Sequence, residues 1–456
     1  MGLSKMKYLY LLLTLLLLIA LDFYLKANIS GINQGALHLP VLALVIFTGG
    51  LLALWRGMIS GFVYIKHSTL WLMLFLTYFV FRIVIDIGTI EQLKALTIAT
   101  TGGTVLFYTL GLLVAIAIGQ SFVYGMRSKS YAKSLTWLFA FYLTLSFGFL
   151  VTVFFELFSR LRSDIFLISD LDGAYQRPGN FLVISLLILT TVYAQILALN
   201  QNLYTRTYRF FAPIFFVIYM AYAFLSMVIA QMIGSNNAAV LIAGLSLVLI
   251  LVCFLVLSRK MKCYMASQHL NIRKILLGVI GRRLVLVLSM SGVFLIAAVM
   301  VVASVVGIDL GLTRLGGFGS GEISSVGARL SLLKNFTTQF QYSPVFGNMN
   351  VDTLTTGTGS YVHSFLISTL THLGLIGFFL IVGYFILNYT ECFKNMRFDI
   401  NQLGLLLVNN IFQFYSIMAF SMILLIGIVG TFFTWATIWF AMGLLLVAVR
   451  FENKKE

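Results

Sequence analysis

Residues 69–88 read TLWLMLFLTYFVFRIVIDIG. Twenty residues rising 1.5 Å each make a helix about 30 Å long, the thickness of a bilayer's hydrocarbon core. Its only formal charges are Arg82 and Asp86. They stand four apart, on one helix face, and read as an ion pair near the outer surface. The residues before the stretch are basic, Arg56 and Lys66. Lys and Arg collect on the cytoplasmic side of membrane spans, so the stretch reads as a transmembrane helix that starts inside and ends outside.

Working outward, eleven further apolar stretches of this kind occur, at 8–25, 38–55, 102–124, 135–157, 180–199, 210–232, 237–258, 284–307, 362–388, 404–427 and 430–449. The connections between them alternate in charge. With both termini cytoplasmic, 21 of the 30 Lys and Arg residues fall on the inner side with four acids, a net of +17. The nine basic and ten acidic residues that remain leave the outer side at −1. The expected fold is an all-α integral membrane protein of about 12 transmembrane helices. It forms one polytopic domain over residues 1–456, with two large outer loops at about 158–179 and 308–361.

Composition points the same way. Hydrophobic residues make up 60% of the chain and charged residues 10%, and the mean hydropathy is +1.01. A soluble domain carries about a quarter charged residues, and a disordered chain has low hydrophobicity; both classes are excluded. A net charge of +16 on a soluble protein would suggest nucleic acid. Here it sets orientation, and no nucleic-acid partner is expected. The first apolar stretch follows Lys5 and Lys7 as a signal peptide would, but it is long and no small-x-small cleavage site follows it, so it reads as a span. Cys253, Cys263 and Cys392 fall in a span or on the inner side, so no outer disulfide is expected.

The two long loops hold Arg160, Arg162, Arg177, Arg314, Arg329 and Lys334 on the side where basic residues are disfavoured. Guanidinium forks match phosphate oxygens, so the set reads as a site for an anionic group. The alternative is ion pairing with Asp164, Asp170, Asp172, Glu322 and Asp352. Helix polarity adds to the anion reading. The sixth and tenth spans run inward and open their N-termini outside, where N–H groups and the dipole favour phosphate. Asn180, after Arg177-Pro178-Gly179, reads as the N-cap of the sixth; Ser360 reads as the N-cap of the tenth, with His363 in its first turn. His363 there could accept a proton or donate to phosphate near neutral pH, against a purely structural role.

Other signals carry less. His372 lies nine residues beyond His363, about 180° around a helix, so the two cannot share a metal from one helix. Asp170-Leu171-Asp172 has a spacing that some metal-using glycosyltransferases share, but the tripeptide is common by chance. Asp22 and Lys26 repeat the four-residue ion-pair spacing. Asn409, Asn410 and Gln413 read as hydrogen-bonding partners between helices. GGFGSG at 316–321 lacks the Lys of a nucleotide loop and reads as a hinge. No metal and no cofactor are expected.

From Arg329 the chain reads RLSLLKNFTTQFQYSPVFGNMN, and from Gly359 GSYVHSFLISTLTHLGLIGFF. This resembles the signature of the O-antigen polymerase and ligase superfamily: an Arg, an aliphatic helix, a Pro-aliphatic-aromatic-Gly turn (Pro344-Val345-Phe346-Gly347), then His-polar-x-x-Leu and Gly-x-x-Gly (His363-Ser364, Gly374, Gly377). The resemblance spans about 55 residues, with a looser likeness at YQRPGN, 175–180. Arg162 to Gly173 fits the Arg-x10-Gly spacing of some polymerases. Ser364 stands where the family usually has Asn, and the second loop has no Arg-x10-Gly, which leaves the correspondence of Arg314 open.

The resemblance implies a lipid-linked glycosyltransferase of the bacterial inner membrane. A glycan on undecaprenyl pyrophosphate would pass to the next lipid-linked repeat unit. Membrane lipid and a chain-length regulator protein would be partners. Arg329 and His363 would be catalytic, with Arg177, Arg314 and Arg162 on the pyrophosphate. Two other readings compete. A ligase would deliver the finished glycan to lipid A–core. A lipid-linked oligosaccharide flippase would place its charges in a mid-membrane cavity and lack the long outer loop.

Overall fold

The computed structural model describes residues 67–87, 129–160, 179, 182–190, 193, 206–266, 331–357, 360–395, 398–399, 407–408 and 411–430, with 437–438, 441–443 and 445. The regular secondary structure of the described residues is helical except for one pair of two-residue strands. In chain order the elements are α1 (His67–Ile87), α2 (Lys129–Phe158), α3 (Arg206–Met232), α4 (Asn236–Ala266), α5 (Phe336–Tyr342), α6 (Val351–Thr355), α7 (Phe365–Asn395), β1 (Phe398–Asp399), β2 (Leu407–Val408) and α8 (Ile411–Gly430).

Four segments are long and apolar enough to cross a membrane: His67–Asp86, Ala140–Phe158, Phe215–Met232 and Phe365–Glu391. Asn237–Cys253 and Phe414–Ile428 are shorter apolar helices. These six match the third, fifth, seventh, tenth, eighth and eleventh stretches of the sequence. The chain is therefore an α-helical membrane protein. The first, second, fourth and ninth stretches lie outside the described residues, as does nearly all of the 158–179 loop.

The faces of α1 show why the helices associate. Leu72, Phe75, Phe79 and Ile83 are buried, while Leu70, Met73, Leu74, Phe81 and Val84 are exposed. The spacing of three and four residues gives one packed stripe and one outward stripe, both apolar, as a lipid-facing helix requires. Segment 182–190 behaves differently: every residue in it is buried. A helix apolar all round belongs at the centre of a bundle. Around it, α7 packs on α1, α8 and α5; α4 packs on α3 and α8; and α2 packs on α3.

Hydroxyl groups tie the bundle together. The Tyr222 hydroxyl meets Ser185 at 2.7 Å and accepts from Ser146 at 3.3 Å, joining α2, segment 182–190 and α3. Thr190 meets Tyr415 of α8. Tyr384 of α7 donates to the Met442 carbonyl at 2.6 Å, and Tyr389 meets Ser421 at 2.7 Å. Each such bond between membrane helices contributes about 0.6 kcal/mol on average.

One boundary differs from the sequence expectation. The eleventh stretch begins at Ile411, not at 404. Leu407–Val408 pairs antiparallel with Phe398–Asp399 instead. A short apolar run is compatible with helix or strand, and pairing decides. Asn409, Asn410 and the Gln413 side chain lie outside the described residues.

Candidate functional site

Helix α7 is continuous in sequence but broken in space. Gly374 has φ 64° and ψ −171°, a region essentially reserved for glycine. A helix that restarts after a break presents N–H groups with no intrahelical acceptor. Here Leu375 N–H donates to the Pro344 carbonyl at 2.9 Å, and Ile376 N–H to the Val345 carbonyl at 3.2 Å. The Pro344–Gly347 turn thus fills the break. It is closed by Gly347 N–H donating to the Ser343 carbonyl at 2.8 Å.

The contact is backbone against backbone. A Cβ on Gly374 would fall 2.3 Å from the Val345 carbonyl oxygen; one on Gly347, at φ +70°, would fall 2.4 Å from the His372 carbonyl oxygen. No side chain fits at either position. Gly347 and Gly374, 27 residues apart in the chain and both part of the resemblance, therefore need each other.

Helix α1 holds the turn from another side. Tyr78 Oη donates to the Phe346 carbonyl at 2.6 Å. Arg82 Nη2 and Asp86 Oδ1 form the expected ion pair at 2.6 Å. Asp86 does a second job: its Oδ2 accepts the Met349 N–H at 2.7 Å, and its backbone carbonyl accepts from Asn350 Nδ2 at 3.4 Å. Asp86 is 2% exposed and Arg82 9%. A carboxylate so buried requires both its cation and its N–H donor.

The segment from Asn335 to Ser360 folds back on itself. Gln339, fully buried, donates through Nε2 to the Ser360 carbonyl at 3.0 Å and to Thr356 Oγ1 at 2.8 Å. Asn335 Nδ2 donates to the same Ser360 carbonyl at 3.0 Å. This pins the chain three residues before His363 to the helix that follows Arg329 in sequence.

The expected cap is corrected by these contacts. The Ser360 hydroxyl donates to the Gly357 carbonyl at 2.6 Å and meets Thr356 Oγ1 at 2.5 Å, so it is not free to cap the tenth span. Residues 361–364 are non-helical and α7 starts at Phe365, not at 362. His363 accordingly sits just before the helix and not in its first turn. Val362 and Ser364 are buried on either side of it, while His363 is half-buried. Its ring lies against Tyr361, with centroids 4.8 Å apart and planes inclined 44°.

Of the other residues expected at the site, Arg329, Arg177, Arg314 and Arg162 lie outside the described residues, as do Asn180, Asp170, Asp172 and the 316–321 hinge. Lys334 is exposed. The structure also adds participants that the sequence reading passed over. His372, fully buried and two residues before the break, contacts the Ser368 carbonyl at 3.0 Å and Thr371 Oγ1 at 2.9 Å through Nδ1. It interacts electrostatically with Asp352 of α6. A titratable residue inside an apolar span is a signal in itself, but nothing in the spacing points from His372 to Asp352. Among the described residues no three His, Cys, Asp or Glu side chains are grouped as for a metal ion. No family model, curated protein or solved structure matches this chain.

Proposed function

We propose that the protein is a polysaccharide polymerase of the inner membrane, with twelve spans and both termini cytoplasmic, that moves a glycan from undecaprenyl pyrophosphate to a second lipid-linked repeat unit. One observation carries the reading. Of the residues behind the family resemblance, Pro344, Gly347 and Gly374 come from separate stretches and meet at the α7 break, and the segment that carries Pro344 and Gly347 also binds the chain at Ser360, three residues before His363. Close backbone approach explains why a Pro-x-x-Gly turn and a distant Gly must occur together.

In the proposed reaction an acceptor hydroxyl attacks the anomeric carbon of the donor glycan. The bond from that carbon to the pyrophosphate oxygen breaks, and the hydroxyl proton is lost. Negative charge grows on the leaving pyrophosphate at the membrane–water boundary. Arginines fixed there stabilise that charge more in the transition state than in the ground state. Arg329 and Arg177 take this role, with Arg314 and Arg162 as further pyrophosphate contacts. His363, half-buried at the helix mouth, orients the pyrophosphate or accepts the hydroxyl proton.

The test is a reconstituted assay with purified lipid-linked repeat units and no other protein, in which the wild type should build long chains. His363→Ala and Arg329→Ala should insert normally and make none; wild-type chain lengths from both would sink the site assignment. Arg329→Lys should be impaired if a two-pronged contact is required, since an ammonium is a point donor. Knockout glycans separate the ligase: loss of a polymerase leaves one repeat per core, and loss of a ligase leaves bare core with lipid-linked polymer.

A further inference from the structure

The turn that fills the α7 break is irregular backbone, and its level in the bundle can be counted. Ser68 Oγ donates to Glu391 Oε2 at 3.5 Å, which sets the inner ends of α1 and α7 level. Asp86 is 18 residues above Ser68, and Gly374 is 17 above Glu391. At 1.5 Å per residue these are heights of about 27 Å and 25 Å, within a hydrocarbon core of about 30 Å. Tyr78 stands about 12 Å below Asp86 along α1, and its hydroxyl reaches the Phe346 carbonyl. Both helices therefore put residues 343–349 at, and several ångströms below, the outer edge of the apolar layer.

Irregular backbone is tolerated at that level only where its polar groups are satisfied. The carbonyl side of the turn meets this condition. Four consecutive carbonyls, from Ser343 to Phe346, accept hydrogen bonds from Gly347, Leu375, Ile376 and Tyr78 respectively. Met349 N–H goes to Asp86, and Pro344 has no N–H to satisfy. Yet the side chains at the tip face outward: Val345 is 45% and Phe346 56% exposed. Phe81 and Val84 of α1, at the same height, are exposed as well.

We infer that residues 343–349 form a shallow re-entrant element whose Val345 and Phe346 side chains rest against the acyl chains of the surrounding bilayer. The chain enters the outer leaflet after α5, turns on Pro344–Gly347 and leaves before α6, with its carbonyls and the Met349 N–H bonded to protein and the Val345 and Phe346 side chains turned to lipid. A water-facing loop of the same shape would have no need to bond four carbonyls in a row and would gain nothing from two large apolar tips. The inference does not depend on the chemistry proposed for the protein.

The test uses the full chain in liposomes, with Cys253, Cys263 and Cys392 replaced by Ser and a nitroxide placed by Phe346→Cys. Collision with oxygen, which concentrates in hydrocarbon, is compared with collision with a water-soluble nickel chelate. Label 346 should favour oxygen several-fold over a reference label at Lys334→Cys, an exposed charged position. Chelate access at 346 equal to that at 334 would overturn the inference. So would a label shielded from both reagents, because protein and not lipid would then cover the tip. Val345→Cys, also outward-facing, repeats the measurement if Phe346→Cys inserts poorly.

Discussion

Segment 182–190 is buried on every side, and its polar members meet hydroxyls carried by other helices: Ser185 meets Tyr222, and Thr190 meets Tyr415. The 343–349 turn lies at the edge of the same bundle and is held almost wholly through its backbone, to Leu375, Ile376, Tyr78 and Asp86. The first arrangement is modular. Each helix already satisfies its own backbone, so a lost hydroxyl bond leaves the helix intact. The second is concerted, because the turn caps the break and the break holds the turn. Removing one part orphans groups on the other.

That contrast orders the expected effects of mutation. Asp86→Ala should be the most damaging. It strips Arg82 of its counter-charge and the Met349 N–H of its acceptor, and losing one partner of a buried pair costs about 3–5 kcal/mol. Thermal unfolding in detergent reads the loss. Arg82→Met combined with Asp86→Asn should recover most of it, since the Asn carbonyl still accepts from Met349 and no lone charge remains; no recovery would show that the ion pair itself, and not the lodged turn, matters.

Gly374→Ala comes next. The glycine-only conformation alone costs about 1–3 kcal/mol to impose on alanine, and the new Cβ meets the Val345 oxygen at 2.3 Å. The expected result is expulsion of the turn, read as increased chelate access at a nitroxide on residue 346. Unchanged access would mean that the break does not hold the turn.

Gln339→Leu keeps the volume but removes the bonds to Ser360 and Thr356. It should cost about 1–3 kcal/mol and loosen the chain leading to His363, so the glycan synthesis proposed for the protein should fall more than stability does. Equal falls in both would make Gln339 purely structural. Tyr222→Phe should be the mildest, at about 0.6 kcal/mol and no more than about 1.7. A loss as large as that of Gly374→Ala would break the distinction between modular and concerted regions.

How much was legible beforehand follows from the length scale of each interaction. Spans were legible because a run of apolar residues is a local property, and six described helices fall where the runs do. The Arg82–Asp86 pair was legible because i,i+4 neighbours meet on any helix. Ser360 misled because a serine before an apolar run has the form of an N-cap, while the contacts that occupy its hydroxyl come from Thr356 and Gly357. Gly374 gave no local warning. Nothing in LTHLGLIG (370–377) distinguishes a tolerated helical glycine from a break, because the element that fills the break lies some thirty residues upstream.

From the sequence alone came the class of protein and the identity of the residues worth watching, for hydrophobic runs and charge asymmetry act residue by residue against the bilayer. Tertiary structure decided that Gly347 and Gly374 are one feature, that Asp86 serves both Arg82 and Met349, and that His363 stands ahead of its helix. The first two rest on hydrogen bonds between segments distant in the chain. In an apolar medium such bonds go to whichever donor and acceptor are brought together first by packing, and spacing along the chain does not say which those are.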